Sequence, residues 1–172
     1  MSYSRVTTRG FTLLELIVVI AIIGVLSVII LPSFTKVLGN SRIKRANLEM
    51  EEIVKSIVIA QNQSGKTMTA MGVGCSDCSC RSGNIKNDTG ACYTANLSAL
   101  TTLESNTSGF VSGLSRMVRD PWGSPYCFDA NQGESGPSSC TTVDGFRSVG
   151  PDGVYGTADD IVVDVPLASK CP

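Results

Sequence analysis

Gly10-Phe11-Thr12-Leu13-Leu14-Glu15 is the stretch around which the chain is organised, and it opens an apolar run that ends at Leu31. The run from Phe11 to Leu31 holds 21 residues, and Glu15 is the only charged one among them. A helix of that length can cross the hydrocarbon core of a bilayer, since each residue adds about 1.5 Å. A carboxylate inside such a segment is costly unless it finds a partner, so Glu15 calls for a functional explanation.

The composition narrows the class of protein. The chain has 172 residues and a net charge of −1, so it offers no basic surface and no argument for binding nucleic acid. Histidine is absent, which removes the commonest general base and zinc ligand. With neither a nucleophile beside a recognisable base nor a phosphate-binding loop, the sequence argues against an enzyme. It favours a loop-rich globular part joined to a membrane segment.

The cysteines are confined to the part of the chain after residue 70. This confinement favours disulfides formed outside the cytoplasm, and an odd count leaves at least one thiol free or paired with another chain. The spacing of the first four also permits a zinc or iron–sulfur site, which stays open as an alternative. The seven are Cys75, Cys78, Cys80, Cys92, Cys127, Cys140 and Cys171.

The residues before the apolar run differ from an ordinary secretory signal. Residues 1–10 are short and polar, with Arg5 and Arg9 and no acidic residue. A secretory signal places its small cleavage residue after the apolar region, whereas Gly10 precedes it here. Cleavage after Gly10 would remove residues 1–10 as a leader and keep the hydrophobic helix on the mature protein.

This arrangement resembles the N-terminal signal of type IV prepilins and of the pseudopilins of type II secretion systems. The resemblance implies that a prepilin peptidase cuts after Gly10 and then N-methylates Phe11. It also implies that Glu15 pairs with the new α-amino group of a neighbouring subunit, a partner that only assembly would supply. The matching residues are Gly10, Phe11, Thr12, Leu13, Glu15, Gly24 and Pro32.

The helix is expected to continue beyond the membrane segment, over residues 11–62, and to be followed by a cysteine-containing loop region at 63–118. Apolar residues recur at alternating steps of three and four, which predicts one buried helix face. This face is expected to pack on the protein's own sheet rather than to form a coiled coil. Within the loop region, 96–103 and 113–118 read as short helical turns. The residues of the apolar face are Ile43, Ala46, Met50, Ile53, Ile57 and Ala60.

The C-terminal region, 119–172, is predicted to form a small antiparallel sheet with strands at 127–129, 141–148 and 161–165. Cys127 and Cys140 flank the turn between the first two strands, which makes a disulfide across that hairpin geometrically possible. The segment from Asp120 to Tyr126 resembles the entry to the sheet in major pseudopilins, where Trp122 would be a packing residue. The predicted fold class is therefore α+β and pilin-like: a long N-terminal helix packed on about three strands.

The loop before the last strand is a candidate calcium site, because three carboxylates and two glycines fall between Asp152 and Asp160. Calcium takes six to eight oxygen ligands from such loops, although an acidic solvated turn has the same composition. The pattern is not an EF-hand. The major pseudopilins have a calcium loop of this pattern, and the resemblance implies a structural ion. Its ligands would be the carboxylates of Asp152, Asp159 and Asp160, the carbonyls of Val149 and Val154, and an oxygen of Thr157.

The resemblance, together with these features, implies the major pseudopilin of a type II secretion system, a structural subunit of a homo-oligomeric periplasmic filament that drives protein export. Its expected partners are the prepilin peptidase, an inner-membrane assembly platform and other pilins. Before assembly it would sit in the inner membrane with its C-terminal region in the periplasm. Two alternatives remain open: a type IV pilus subunit for adhesion, motility or DNA uptake, and a plain membrane-anchored calcium-binding surface module.

Overall fold

A computed structural model describes residues 10–74, 79–131 and 142–168 of the chain. The chain divides into two compact units, Met1–Ser41 and Arg42–Pro172. The first helix, α1, runs over Leu13–Ser64 and contributes residues to both units. Its bounds lie within two residues of the helix predicted at 11–62, so the long N-terminal helix is confirmed.

The described part of the first unit is the beginning of α1. The helix starts after Thr12, whose carbonyl accepts the first helical hydrogen bond from the amide of Leu16 at 3.3 Å. The apolar side chains of this segment are largely exposed from Leu13 to Leu26. Among the described residues, no helix combines the length and the apolar character needed to cross a membrane.

The second unit buries one face of α1. Ala46, Met50, Ile53, Ile57 and Ala60 are fully inaccessible to solvent, and all but Ala46 belong to the central hydrophobic core. Their steps of four, three, four and three residues place them along one side of an α-helix. The same core holds residues of the sheet, so this face packs within the protein's own unit as predicted. Ile43 is the exception, since it remains exposed.

The region predicted as loops contains more helix than the sequence indicated. Helix α2 covers Met68–Met71, and helix α3 covers Ala91–Asn106, well beyond the turn expected at 96–103. The carboxylate of Asp88 starts α3 by accepting hydrogen bonds from the amides of Gly90 and Tyr93. Two 3₁₀ turns, Ser79–Arg81 and Leu114–Met117, complete the region. Leu100 and Leu103 attach α3 to the core.

The sheet has three antiparallel strands in the order β1-β2-β3, namely Cys127–Asp129, Asp144–Ser148 and Ile161–Val165. The prediction is confirmed for all three, with the second strand beginning three residues later than expected. In the register, Phe146 faces Phe128 on one side and Val163 on the other. The rings of Phe128 and Phe146 lie 4.6 Å apart in the core, which fixes the sheet's buried face.

Candidate functional site

The predicted cleavage site lies outside the helix and is open to solvent. Gly10 and Phe11 precede α1, and 84% of the surface of Phe11 is exposed. A Cβ added to Gly10 would meet no atom within 4 Å, so the fold itself does not require glycine there.

Glu15 has partners within its own helix terminus. Its carboxylate accepts hydrogen bonds from the amide and the hydroxyl of Thr12, both at 2.9 Å, and its amide donates to the Thr12 hydroxyl oxygen at 3.2 Å. This reciprocal pair is a capping box, which satisfies amide groups that the first turn of a helix leaves unpaired. The expectation that only assembly supplies a partner for Glu15 was wrong: Thr12 supplies one in the single subunit.

The loop before β3 brings four of the predicted calcium ligands together. The hydroxyl of Thr157 lies 3.1 Å from the carbonyl oxygen of Val154, 2.6 Å from Oδ1 of Asp159 and 3.2 Å from Oδ1 of Asp160. One hydroxyl has one proton, so it cannot satisfy three acceptors at once. The hydrogen bond from Thr157 also lowers the pKa of Asp159, which keeps that carboxylate ionised. An excess of oxygen acceptors around one point suits a hard cation.

The remaining predicted ligands, Asp152 and Val149, make other contacts. The amide of Asp152 donates to Oδ2 of Asp159 at 3.1 Å, while its own carboxylate accepts from the amide of Val154 at 2.8 Å. Val149 is completely buried. The carboxylate of Asp160 also receives the guanidinium of Arg147 at 2.5 Å, a contact the sequence did not indicate. The three aspartates are not among the compact sets of metal-binding side chains that the described residues form.

The loop before β3, residues 149–160 (the acidic loop), is attached to the segment Asn84–Lys86 of the middle region, residues 63–118. The side-chain amide of Asn84 donates to the carbonyl of Asp152 at 2.8 Å, and the amide of Ile85 donates to the carbonyl of Gly153 at 2.9 Å. The ammonium group of Lys86 reaches the carbonyl of Pro151 at 3.2 Å. Sequence reasoning missed this attachment, because 65 or more residues separate the partners and no local pattern reports such a contact.

The entry to the sheet is built around the buried carboxylate of Asp120. It accepts hydrogen bonds from the amides of Trp122 and Ser124 at 3.0 and 2.9 Å, and from the hydroxyl of Ser148 at 2.6 Å. Burial raises the pKa of Asp120, and these three donors oppose the rise. Trp122 is buried beside this network, in agreement with its predicted packing role. Asp120 thus joins the turn before β1 to the end of β2.

Three described cysteines form a compact cluster. Cys80 and Cys92 are joined by a disulfide, and Cys127 is a buried free thiol, with the three Sγ atoms within 4.8 Å of one another. The zinc alternative requires separate thiolates, whereas Cys80 and Cys92 are bonded to each other. Because Cys127 is a free thiol in the structure, the disulfide predicted between Cys127 and Cys140 is not formed there, and Cys140 itself lies outside the described residues. Cys75, Cys78 and Cys171 also lie outside them.

The long helix on a three-stranded sheet, the exposed Gly10–Phe11 junction and the capped Glu15 define a pilin-like protein. A family model described as the prokaryotic N-terminal methylation motif matches residues 6–31. The chain is also 31% identical over 163 residues to the type II secretion system core protein G of Escherichia coli strain K12, covering 89% of this chain and 88% of that protein. No solved structure gives a significant match.

The chain therefore belongs to the family of type II secretion system core protein G, the major pseudopilins. It is accordingly a pseudopilus subunit, and its family is structural rather than catalytic. This assignment agrees with the family predicted from the sequence and favours a secretion pseudopilin over the two alternatives.

Proposed function

We propose that this chain is held in the inner membrane as a precursor, is cleaved after Gly10, is N-methylated on Phe11 and is then assembled into a periplasmic pseudopilus. The observation that supports this is the exposed apolar surface of α1. Leu13, Ile17, Ile20 and Val25 are between 49% and 75% exposed among the described residues. Removing apolar surface from water contributes about 25 cal/mol per Å² to stability. A surface of this extent is therefore expected to lie in lipid or against other subunits.

Glu15 has a defined part in this scheme. In the precursor its carboxylate is held by Thr12, which reduces the cost of placing it in an apolar run. Cleavage after Gly10 would create a charged amine on Phe11, and a neighbouring subunit could offer that amine to Glu15. The carboxylate would then exchange a local neutral donor for a charged one, an interaction that is stronger in a water-excluded filament core.

The experiment is mass spectrometry of the N-terminus of the chain isolated from cells that contain the peptidase. The expected mature protein begins at Phe11 and carries one methyl group. A Gly10→Leu variant should remain at the precursor mass, while Gly39→Ala, also a glycine with open space around it, should be processed normally. Normal processing of Gly10→Leu, or an intact Met1 in the wild type, would refute the proposal.

Assembly is tested separately from processing. A Glu15→Gln variant keeps an acceptor for Thr12 but loses the charge that would attract a neighbour's amine. We expect it to be cleaved and methylated normally, yet to give few filaments when cross-linked in membranes. Filament formation equal to that of the wild type would show that the charge of Glu15 has no role in assembly.

We further propose that the loop from Val149 to Asp160 binds a structural calcium ion. The residues that fit it are Val154, Thr157, Asp159 and Asp160, because an oxygen of each of the other three lies within 3.2 Å of the Thr157 hydroxyl. Calcium would neutralise the mutual repulsion of the two adjacent aspartates. Chelator and added calcium should therefore shift the melting temperature in opposite directions. An unchanged melting temperature would contradict calcium binding, and it would leave the proposed pseudopilus role unaffected.

A further inference from the structure

The cysteine cluster contains one disulfide and one thiol in the same closed space. The Sγ atoms of Cys80, Cys92 and Cys127 all lie within 4.8 Å of one another, and each residue is almost fully buried. Ile85 and Val149 enclose the cluster, with Tyr155 packed against it. The Cys127 thiol therefore lies close to both sulfur atoms of the disulfide, the placement that thiol–disulfide exchange requires.

We infer that Cys80, Cys92 and Cys127 form an internal disulfide-exchange centre, so that the second unit, Arg42–Pro172 (the head domain), can exist in more than one covalent form. In the step, the thiolate of Cys127 attacks Sγ of Cys80 or of Cys92. A new bond to Cys127 forms, the Cys80–Cys92 bond breaks, and the displaced cysteine leaves as a thiolate that takes up a proton. The number of disulfides is unchanged, and no external oxidant or reductant is consumed.

Exchange would change which parts of the fold are covalently linked. The existing bond joins the short turn Ser79–Arg81 to the start of α3, across a sequence separation of 12. Cys127 is the first residue of β1, so either alternative bond would join the middle region to the sheet. The disulfide would then connect the middle region to the sheet instead of closing a short loop within the middle region.

The surroundings of Cys127 determine the rate at which its thiolate can attack the disulfide. Burial raises the pKa of the Cys127 thiol to about 12, so little thiolate exists at neutral pH. The rate should therefore rise about tenfold for each pH unit until that pKa is approached. The same burial excludes small external thiols, which confines exchange to the three cysteines. The titratable or charged groups around Cys127 are Arg81, Asp120, Asp129, Arg147, Tyr155 and Asp160.

The test maps disulfides in the full chain kept in a non-denaturing detergent. Samples are held at about pH 7 and about pH 9, quenched in acid, alkylated in denaturant and digested, and the linked peptides are identified by tandem mass spectrometry. Near-ultraviolet circular dichroism at both pH values verifies that the fold is retained. We expect peptides linking Cys127 to Cys80 or to Cys92, formed about 100-fold faster at the higher pH, with one free thiol in the cluster throughout.

Two variants provide controls. Cys127→Ser should fix the Cys80–Cys92 bond at both pH values. Cys92→Ser should give a Cys80–Cys127 bond in its place. If the alkylation label in the wild type stays on Cys127 alone at both pH values, the proposal is wrong. It is equally wrong if Cys127 is fully bonded to Cys140. The wild-type measurement decides the matter even where a variant does not fold.

Discussion

The hydrogen bond between Tyr126 and Glu49 gives the sharpest test of how the helix is held to the rest of the head domain. Tyr126 is completely buried, and its hydroxyl donates to Oε2 of Glu49 on α1 at 2.7 Å. The other carboxylate oxygen of Glu49 accepts from Nε of Arg45 at 2.7 Å. The side chain of Glu49 is only 14% exposed, so water cannot fully replace a lost donor.

A Tyr126→Phe substitution removes this charge-assisted bond and little else. Such bonds are worth about 1.5–3 kcal/mol in the free energy of unfolding. For a chain of this size the loss corresponds to a fall in Tm of roughly 3–12 °C. The assay is urea unfolding of the full chain in detergent, followed by near-ultraviolet circular dichroism. Tyr93→Phe is the control, because its ring keeps its contact with Arg119 and the change should stay within about 0.5 kcal/mol.

Two further measurements separate this bond from general packing. In a Glu49→Gln background, the effect of Tyr126→Phe should shrink, since the charged acceptor is already gone. Burial also raises the pKa of Tyr126 above its ordinary value, so the phenol stays protonated in the folded state. Its contribution to stability is therefore present below about pH 10 and is lost as the pH rises above it, because the unfolded tyrosine then ionises. Equal effects in both backgrounds, or an alkaline loss retained in Tyr126→Phe, would refute this account.

The remaining predictions concern the sheet entry and the acidic loop. Asp120→Ala should lower the free energy of unfolding by about 3–5 kcal/mol, because it leaves three buried donors unpaired, whereas Asp120→Asn should cost about 1 kcal/mol. Because burial raises the pKa of Asp120, the wild type should gain stability relative to Asp120→Asn as the pH falls toward about 4 in acid unfolding experiments. Gly150→Ala should cost at least about 3 kcal/mol in urea unfolding, since its φ is +66° and a Cβ would lie 2.4 Å from the carbonyl oxygen of Asp159. Gly156→Ala, at a φ of +85° in open space, should cost only about 1 kcal/mol, and equal losses in the two variants would contradict this reasoning. Asp159→Asn should abolish any shift of Tm with calcium, and a retained shift would exclude this carboxylate as a ligand.

The helix and the strands could be predicted because their signals are local and periodic. The buried face from Ala46 to Ala60 repeats at helical spacing, and the final strand is a short β-branched run at Ile161–Val165. Helix α3 was underestimated because it is rich in serine and threonine, which are ordinarily read as loop residues. In the structure their hydroxyls bond to carbonyls of the same helix, as Thr101 does to Ser98, so the helix accommodates them.

Other features depend on contacts between distant parts of the chain. The sequence shows the pattern of the Thr12–Glu15 capping box, a threonine followed three residues later by a glutamate. The resemblance to prepilins instead predicted that Glu15 pairs with a neighbouring subunit. No local sequence pattern predicts that Ser148 contacts Asp120, or that Cys127 lies beside Cys80. These positions are set by the packing of β1 and β2 together, which local propensity does not determine.

The attachment of Asn84–Lys86 to the acidic loop has a thermodynamic consequence. Three hydrogen bonds join this segment to the carbonyls of Pro151, Asp152 and Gly153, so neither side can be released without breaking them. Coupling of this kind is reciprocal. If detachment of Asn84–Lys86 weakens the binding of a ligand to the loop, the bound ligand opposes that detachment by the same coupling free energy. An ion held near β3 would thereby restrain, from a distance, the chain segment that lies between Cys80 and Cys92.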